Sequence, residues 1–440
     1  MKTRVIPKSY EEVLALPEEE RKKPLRPHMF CRCLIRLLSA PDMLAVQFSH
    51  QEKGMEKLGE DEPALFLMNH SSFIDLKIAY AALFPRCFNV VCTSDAYIGK
   101  GWLMRLIGCI PTKKFVSDAG LVRDMIYALK TLKSSVLMFP EAGYSFDGTA
   151  AVLPDSLGKC VKLLGVPVVM IRTYGAFARD PLYNGLQNRK VPVRAVTEYV
   201  LSPEEIKAMS VEEINERLRS LFTFDNFRWQ QETKLRITEP FRADGLHRLL
   251  YKCPHCLTEG EMEGKGTELI CKHCGRGYEL TELGELKALK GYSAFTHVPD
   301  WYNWQRGCVR TELESGTYKL ETPVDIMMLV DSKGFYKVGE GWLFHDEEGF
   351  YLTGCDEKLE YWQSPTASYS LNADFFYYEI GDMISIGDHK ALYFCFPKEN
   401  VSVTKVRLAA EELYKMKQRK LCSKLIMLLF LLTMLKSILC

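Results

Sequence analysis

The sequence predicts an α/β fold, a mixed, mostly parallel sheet flanked by helices. A small zinc ribbon and an aromatic-rich antiparallel β domain with a C-terminal helix are expected to follow it. Three observations predict this. Between Pro63 and Gly175, short apolar runs alternate with segments of helical period. Four cysteines then fall into two Cys-x2-Cys knuckles. From Val324 to Pro397, aromatic-rich runs alternate with polar residues in the manner of antiparallel strands.

The chain of 440 residues is long enough for two or three domains. The expected division is a charged segment with an amphipathic helix over 1–62, the α/β domain over 63–248 and a zinc ribbon over 249–285. A β-rich domain over 290–420 and a hydrophobic tail over 421–440 complete it. Lys and Arg number 57 against 56 Asp and Glu, a net charge of +1. No global field therefore favours nucleic acid, and no nucleic-acid partner is expected. The 15 cysteines sit in a large chain whose opening Met1-Lys-Thr-Arg-Val-Ile-Pro7 has no apolar signal core, so a reducing, cytoplasmic compartment is expected.

Residues 1–26 are charged and punctuated by proline; Met29 to Leu38 then reads as a short apolar helix carrying arginines. Such a helix fits a membrane interface or a cap on the core, and both readings stay open. Strands are expected at Ala64–Met68, Phe88–Cys92, Val136–Phe139 and Val166–Arg172, with helices at Ser117–Leu132 and Asp155–Leu164. Ligands of such sheets collect beyond the carboxyl ends of the strands, where His70 and Glu141 would stand. Ser202-Pro-Glu-Glu205 and Ser210-Val-Glu-Glu213 each set a hydroxyl three residues before a glutamate, the pattern of a capping box.

The knuckles are Cys253-Pro-His-Cys256 and Cys271-Lys-His-Cys274. Four thiolates suit tetrahedral zinc with no open position, so a structural zinc is expected, contributing on the order of 10 kcal/mol to folding. His255 and His273 are then bystanders. A nucleic-acid role would need a basic stripe, which the module lacks.

Asp346-Glu-Glu-Gly349 reads as a hairpin turn and Thr404–Gln418 as a helix. Strands closed by a C-terminal helix resemble the pleckstrin-homology and GRAM type of small barrel, and an unspecialised β-module fits the same pattern. The apolar run between Lys424 and Lys436 falls short of the roughly 20 residues that span a bilayer. It fits a segment lying in one leaflet; a span with snorkelling lysines and a buried helix are the alternatives.

The chemistry centres on Asn69-His-Ser-Ser-Phe-Ile-Asp75. Imidazole is the side chain best suited to taking a hydroxyl proton near neutral pH, and a carboxylate on its other nitrogen would fix its tautomer. Gly108-Cys-Ile-Pro-Thr-Lys-Lys114, Phe139-Pro-Glu-Ala-Gly-Tyr-Ser145 and Gly165-Val-Pro-Val-Val169 follow it in order. Together these stretches resemble the four motifs of the lysophospholipid (1-acylglycerol-3-phosphate) acyltransferase family, over about residues 60–180.

The resemblance implies an O-acyltransferase of phospholipid synthesis or remodelling, with His70 as general base and Asp75 as its orienter. Acyl-CoA or acyl-carrier protein would be donor and a lysolipid the acceptor. It assigns Lys113, Lys114, Glu141, Gly143 and Tyr144 to substrate binding. A triad using Ser71 or Ser72 is the alternative chemistry. Two departures matter. Lys113-Lys114 stand where the family's second motif ends in arginine, and Ala142-Gly143-Tyr144 replace the usual Gly-Thr-Arg of the third. The rewritten third motif keeps glycolipid and zwitterionic acceptors open alongside phosphate-bearing ones. A catalytically inactive lipid-binding scaffold is the reading of a different class. The expected location is the cytoplasmic face of a membrane, peripheral or monotopic, with the tail as a possible anchor.

Overall fold

The computed structural model describes residues 3–419, so the tail expected over 421–440 lies outside the described residues. A seven-stranded sheet forms the first half. Its order is Ser49–Lys53, Arg194–Leu201, Val168–Tyr174, Leu65–Met68, Ser135–Met138, Phe88–Thr93 and Cys109–Thr112. The last five run parallel, Arg194–Leu201 runs against them, and Ser49–Lys53 runs parallel to Arg194–Leu201. The class is therefore the mixed, mostly parallel sheet expected.

Both faces of this sheet are covered, which is why its central strands read as unbroken apolar runs. Phe66 and Met68 pack with Ile78, Tyr80 and Met43 on one side, under the helices Asp75–Leu83 and Met29–Ala45. Leu65 and Leu67 point the other way, onto Met125, Leu129, Leu157, Val161 and Leu218 of the helices Ala119–Lys130, Ser156–Leu164 and Val211–Phe222. Both expected capping boxes form, Ser202 with Glu205 and Ser210 with Glu213.

Three strands escaped the sequence reading. Ser49–Lys53 is an edge strand exposed along its whole length, so it carries no apolar signal. Cys109–Thr112 is the opposite edge, where Pro111 is tolerated because its missing N–H can face away from the ladder. Arg194–Leu201 mixes buried and half-exposed residues. The helix Val298–Glu314 was also unforeseen; it opens on Pro299 within its first turn and buries Trp301, Tyr302, Gln305 and Val309.

Met262–Lys265, Glu268–Cys271, Gly277–Leu280 and Leu286–Ala288 form a separate antiparallel sheet. Beyond it a third sheet has the order Leu359–Gln363, Gly349–Gly354, Phe335–Asp346, Leu320–Leu329, Leu392–Pro397, Gly381–Gly387 and Asn372–Tyr377. These strands are antiparallel throughout, with Asp346 paired to Gly349 across the expected hairpin. Val5–Pro7 adds a parallel strand beside Phe335–Asp346, and residues 403–419 follow as a helix.

The antiparallel module sits against the carboxyl end of the α/β sheet. The hydroxyls of Tyr377 and Tyr378 donate to Asp95 at 2.7 and 2.9 Å. Phe146 contacts Phe375, with ring centroids 4.8 Å apart, and the Arg407 guanidinium lies 4.2 Å from the Phe146 ring centre. Among the described residues no helix is long and apolar enough to cross a membrane.

Candidate active site

The strand Leu65–Met68 ends on Asn69, whose side chain ties it to the neighbouring strand. Its amide donates to Ser71 Oγ and Thr173 Oγ1 and its oxygen accepts from the Thr173 N–H at 2.8 Å. The backbone then turns so that Asp75 opens the next helix. Asp75 is buried, and its Oδ2 accepts from the backbone N–H groups of Ser71 and Ser72 at 2.7 and 3.0 Å. The same oxygen lies 2.9 Å from His70 Nδ1. A carboxylate there leaves Nδ1 as the protonated nitrogen and Nε2 as the free acceptor.

The third motif holds His70 by its backbone on both sides. Its N–H donates to Glu141 Oε2 at 2.7 Å, and its carbonyl accepts from the Ser145 N–H at 3.0 Å. The other Glu141 oxygen accepts from the Ala151 N–H at 2.7 Å. Glu141 is fully buried, and burial pushes its carboxyl up to about 7. The imidazole lies between Phe139 and Tyr144, 4.3 Å from each ring centre, and keeps 22% of its side-chain surface exposed. Burial raises the Tyr144 hydroxyl well above its usual range. The ring of Phe73, 6.2 Å from that of Tyr144, is half exposed beside it.

His70, Asp75, Glu141 and Tyr144 are thus one cluster. Gly143 follows Ala142, which takes a left-handed φ of 56°, and a Cβ added at Gly143 would meet nothing within 4 Å. Lys113 and Lys114 lie past the end of the edge strand Cys109–Thr112, three strands along from Leu65–Met68, or about 14 Å at ordinary strand spacing. Lys113 Nζ donates to the His389 carbonyl at 2.5 Å, and burial lowers its ammonium's pKa. Lys114 faces Asp374, whose carboxyl burial raises to about 6 against the pull of that lysine. Ser71 Oγ accepts from Asn69 and Ser72 Oγ donates to Asp180, so both hydroxyls are directed at partners other than His70.

Two residues of this site went unseen in the sequence. Thr173 locks Asn69, and Asp180, buried and paired with Arg179, holds Ser72. Burial raises Asp180 to about 7. Both come from beyond the motifs that name the site, and nothing in their local sequence marks them.

Cys253, Cys256, Cys271 and Cys274 bring four sulfurs within 4.8 Å of one another. Cys253 and Cys274 are 3.8 Å apart, Cys256 and Cys271 3.7 Å. A tetrahedron with bonds of about 2.3 Å has edges of about 3.8 Å, so this group can hold a metal ion.

Residues 49–173 match the sequence model of the family described as Acyltransferase. No curated protein sequence matches the chain. Among solved structures it is similar to the 1-acyl-sn-glycerophosphate (LPA) acyltransferase PlsC of Thermotoga maritima. The two share 18% identity with a TM-score of 0.37, over 47% of this chain and 81% of that one. Through residues 49–173, which contain His70, Asp75 and Glu141, the chain carries an acyltransferase-family domain.

Proposed function

We propose that the chain transfers an acyl group from acyl-CoA or acyl-carrier protein to the hydroxyl of a lysolipid, with His70 as general base. The observation that carries this reading is the 2.9 Å contact between His70 Nδ1 and Asp75, made by a histidine whose backbone is pinned at both N–H and C=O. Nε2 takes the acceptor's hydroxyl proton and Asp75 supports the imidazolium. The oxygen attacks the thioester carbonyl, and collapse of the tetrahedral adduct expels the thiolate, which recovers the proton. General-base assistance of this kind is worth roughly 10²- to 10⁴-fold.

In this reading Lys113, Lys114, Gly143 and Tyr144 serve acceptor binding, while Glu141 shapes the loop through which His70 is presented. The four cysteines hold a structural zinc, far in sequence from the chemistry. The antiparallel module is a small barrel of pleckstrin-homology type. The protein works at a membrane surface, on the cytoplasmic face. The helix Met29–Ala45 leaves Phe30, Leu37, Leu38 and Leu44 exposed, and Lys22, Lys23, Arg26, Arg32 and Arg36 cluster on and before it.

The test is acyl transfer from radiolabelled acyl-CoA to a panel of lysolipids by the wild type and His70→Ala. A loss of at least 100-fold in product is expected, with Asp75→Asn intermediate. Equal product from wild type and His70→Ala would sink the catalytic role and leave a lipid-binding scaffold, a reading that the capture of Lys113 by His389 favours.

A further inference from the structure

A cavity of about 270 Å³ lies where the acyltransferase segment meets the antiparallel module. Lys114 to Ser117 form one wall, and strands and loops from Tyr361 to Leu392 form the other. Resting on the acyl-transfer reading, we infer that this cavity takes the headgroup of the acceptor lipid. We further infer that the acceptor is a phosphodiester bearing a small polyhydroxylated headgroup.

Size argues first. The volume is below the roughly 300 to 1,000 Å³ of pockets for drug-sized ligands, so it suits a headgroup and not an acyl chain with its glycerol. Charge argues next. Lys114 is the one Lys or Arg in the lining. A phosphate monoester carries about −1.5 to −2 at neutral pH and a diester a single charge, so a lining whose one lysine also faces Asp374 suits the diester better. Asp388, the one carboxylate in the lining, has its Oδ1 held by the N–H groups of Lys390 and Ala391 at 2.7 and 3.2 Å.

Apart from His389, the remaining polar lining consists of amides and hydroxyls. Asn372 and Ser385 are paired directly across adjacent antiparallel strands, and both face the cavity. Ser364 and Ser368 add hydroxyls, while Tyr361 and Trp362 add ring surface. Amides and hydroxyls that donate and accept, beside aromatic rings, suit a ligand made of hydroxyls and C–H faces. The position fits as well. Lys114 stands at the same carboxyl edge of the sheet as His70, so one acceptor can present a hydroxyl to the imidazole and its headgroup to the module.

The first measurement is binding of soluble glycerophosphoinositol to the full chain by calorimetry, with glycerophosphocholine and glycerol 3-phosphate as comparisons. Saturable binding is expected in both wild type and His70→Ala. It should be at least tenfold tighter than for either comparison, and at least tenfold weaker in Ala367→Trp, which fills the cavity from an exposed loop, and in Asn372→Leu. Circular dichroism confirms that each variant is folded. The second measurement is the ratio of kcat/KM for lysophosphatidylinositol over lysophosphatidate, expected to fall at least tenfold in Ala367→Trp. Equal binding of all three probes, preference for the choline probe, or binding indifferent to Ala367→Trp overturns the inference. Absence of acyl transfer by wild type to every acceptor would overturn the catalytic reading instead, and the binding data would still report on the cavity.

Discussion

The backbone N–H of His70 donates to Glu141 Oε2 at 2.7 Å, so the third motif fixes the position of the first. Glutamine in place of Glu141 keeps the shape but offers one acceptor oxygen where two are used, leaving the His70 or the Ala151 N–H unsatisfied. Glu141→Gln should lower kcat about 10- to 100-fold with little change in KM for the acyl donor. Steady-state kinetics on lysolipid and acyl-CoA checks the split, because a direct substrate contact would move KM.

The same residue gives the fold a pH dependence. Burial raises the Glu141 carboxyl to about 7, above its ordinary 4.5. Between those values the folded chain holds a proton that the unfolded chain has released, so this group favours folding as pH falls. Its contribution is complete below about 4.5, is lost as pH rises toward 7 and is flat above, a swing on the order of 3 kcal/mol. Denaturant titrations at pH 5 and 8 should show this component in wild type and not in Glu141→Gln.

Ala142 sits at a left-handed φ of 56°, next to Glu141, which holds the His70 backbone. An L residue with a Cβ is disfavoured there by roughly 1 kcal/mol relative to glycine. Ala142→Gly should therefore raise the unfolding free energy by a few tenths to 1 kcal/mol, the gain being reduced by glycine's greater freedom in the unfolded chain. Thermal unfolding of the two proteins decides the sign.

Loss of one thiol from the Cys253 group should abolish metal retention. Cys253→Ser is expected to release stoichiometric zinc and unfold the small sheet of residues 262–288, with little direct effect on the acyl-transfer chemistry. Metal analysis together with protease mapping checks this; activity that depends on zinc in a protein whose fold survives zinc loss would contradict a structural role.

Membrane contact through the helix Met29–Ala45 predicts that Phe30→Ser with Leu37→Ser reduces co-flotation with anionic vesicles at least tenfold. Neither side chain is buried, so folding should be preserved. Binding should also weaken as salt rises, since Lys22, Lys23 and Arg26 are exposed to screening.

How far the sequence discloses this protein depends on whether an element's neighbours are near it in the chain. Leu65–Met68 and Ser135–Met138 are sandwiched between helices and announce themselves as apolar runs. Ser49–Lys53 lies at an open edge and does not. His70 and Asp75 are visible together because only four residues separate them and one helix start joins them. Asp180 supports the same loop from 108 residues beyond Ser72, and the His389 carbonyl holds Lys113 across 276. The cavity above Lys114 is a product of two distant segments, and no periodicity or local motif encodes it.

The short strand Val5–Pro7 has one further consequence, for synthesis. It pairs with Phe335–Asp346, while Arg21, further along the same N-terminal segment, is tied by ion pairs to Asp118 and Asp124. As the ribosome delivers the chain, the α/β sheet can close around Arg21 long before the strand containing Phe335 exists. Val5–Pro7 then waits for its partner strand, on the order of half a minute at typical elongation rates. Val5–Pro7 acts as a late latch, closed only once the strand Phe335–Asp346 is in place.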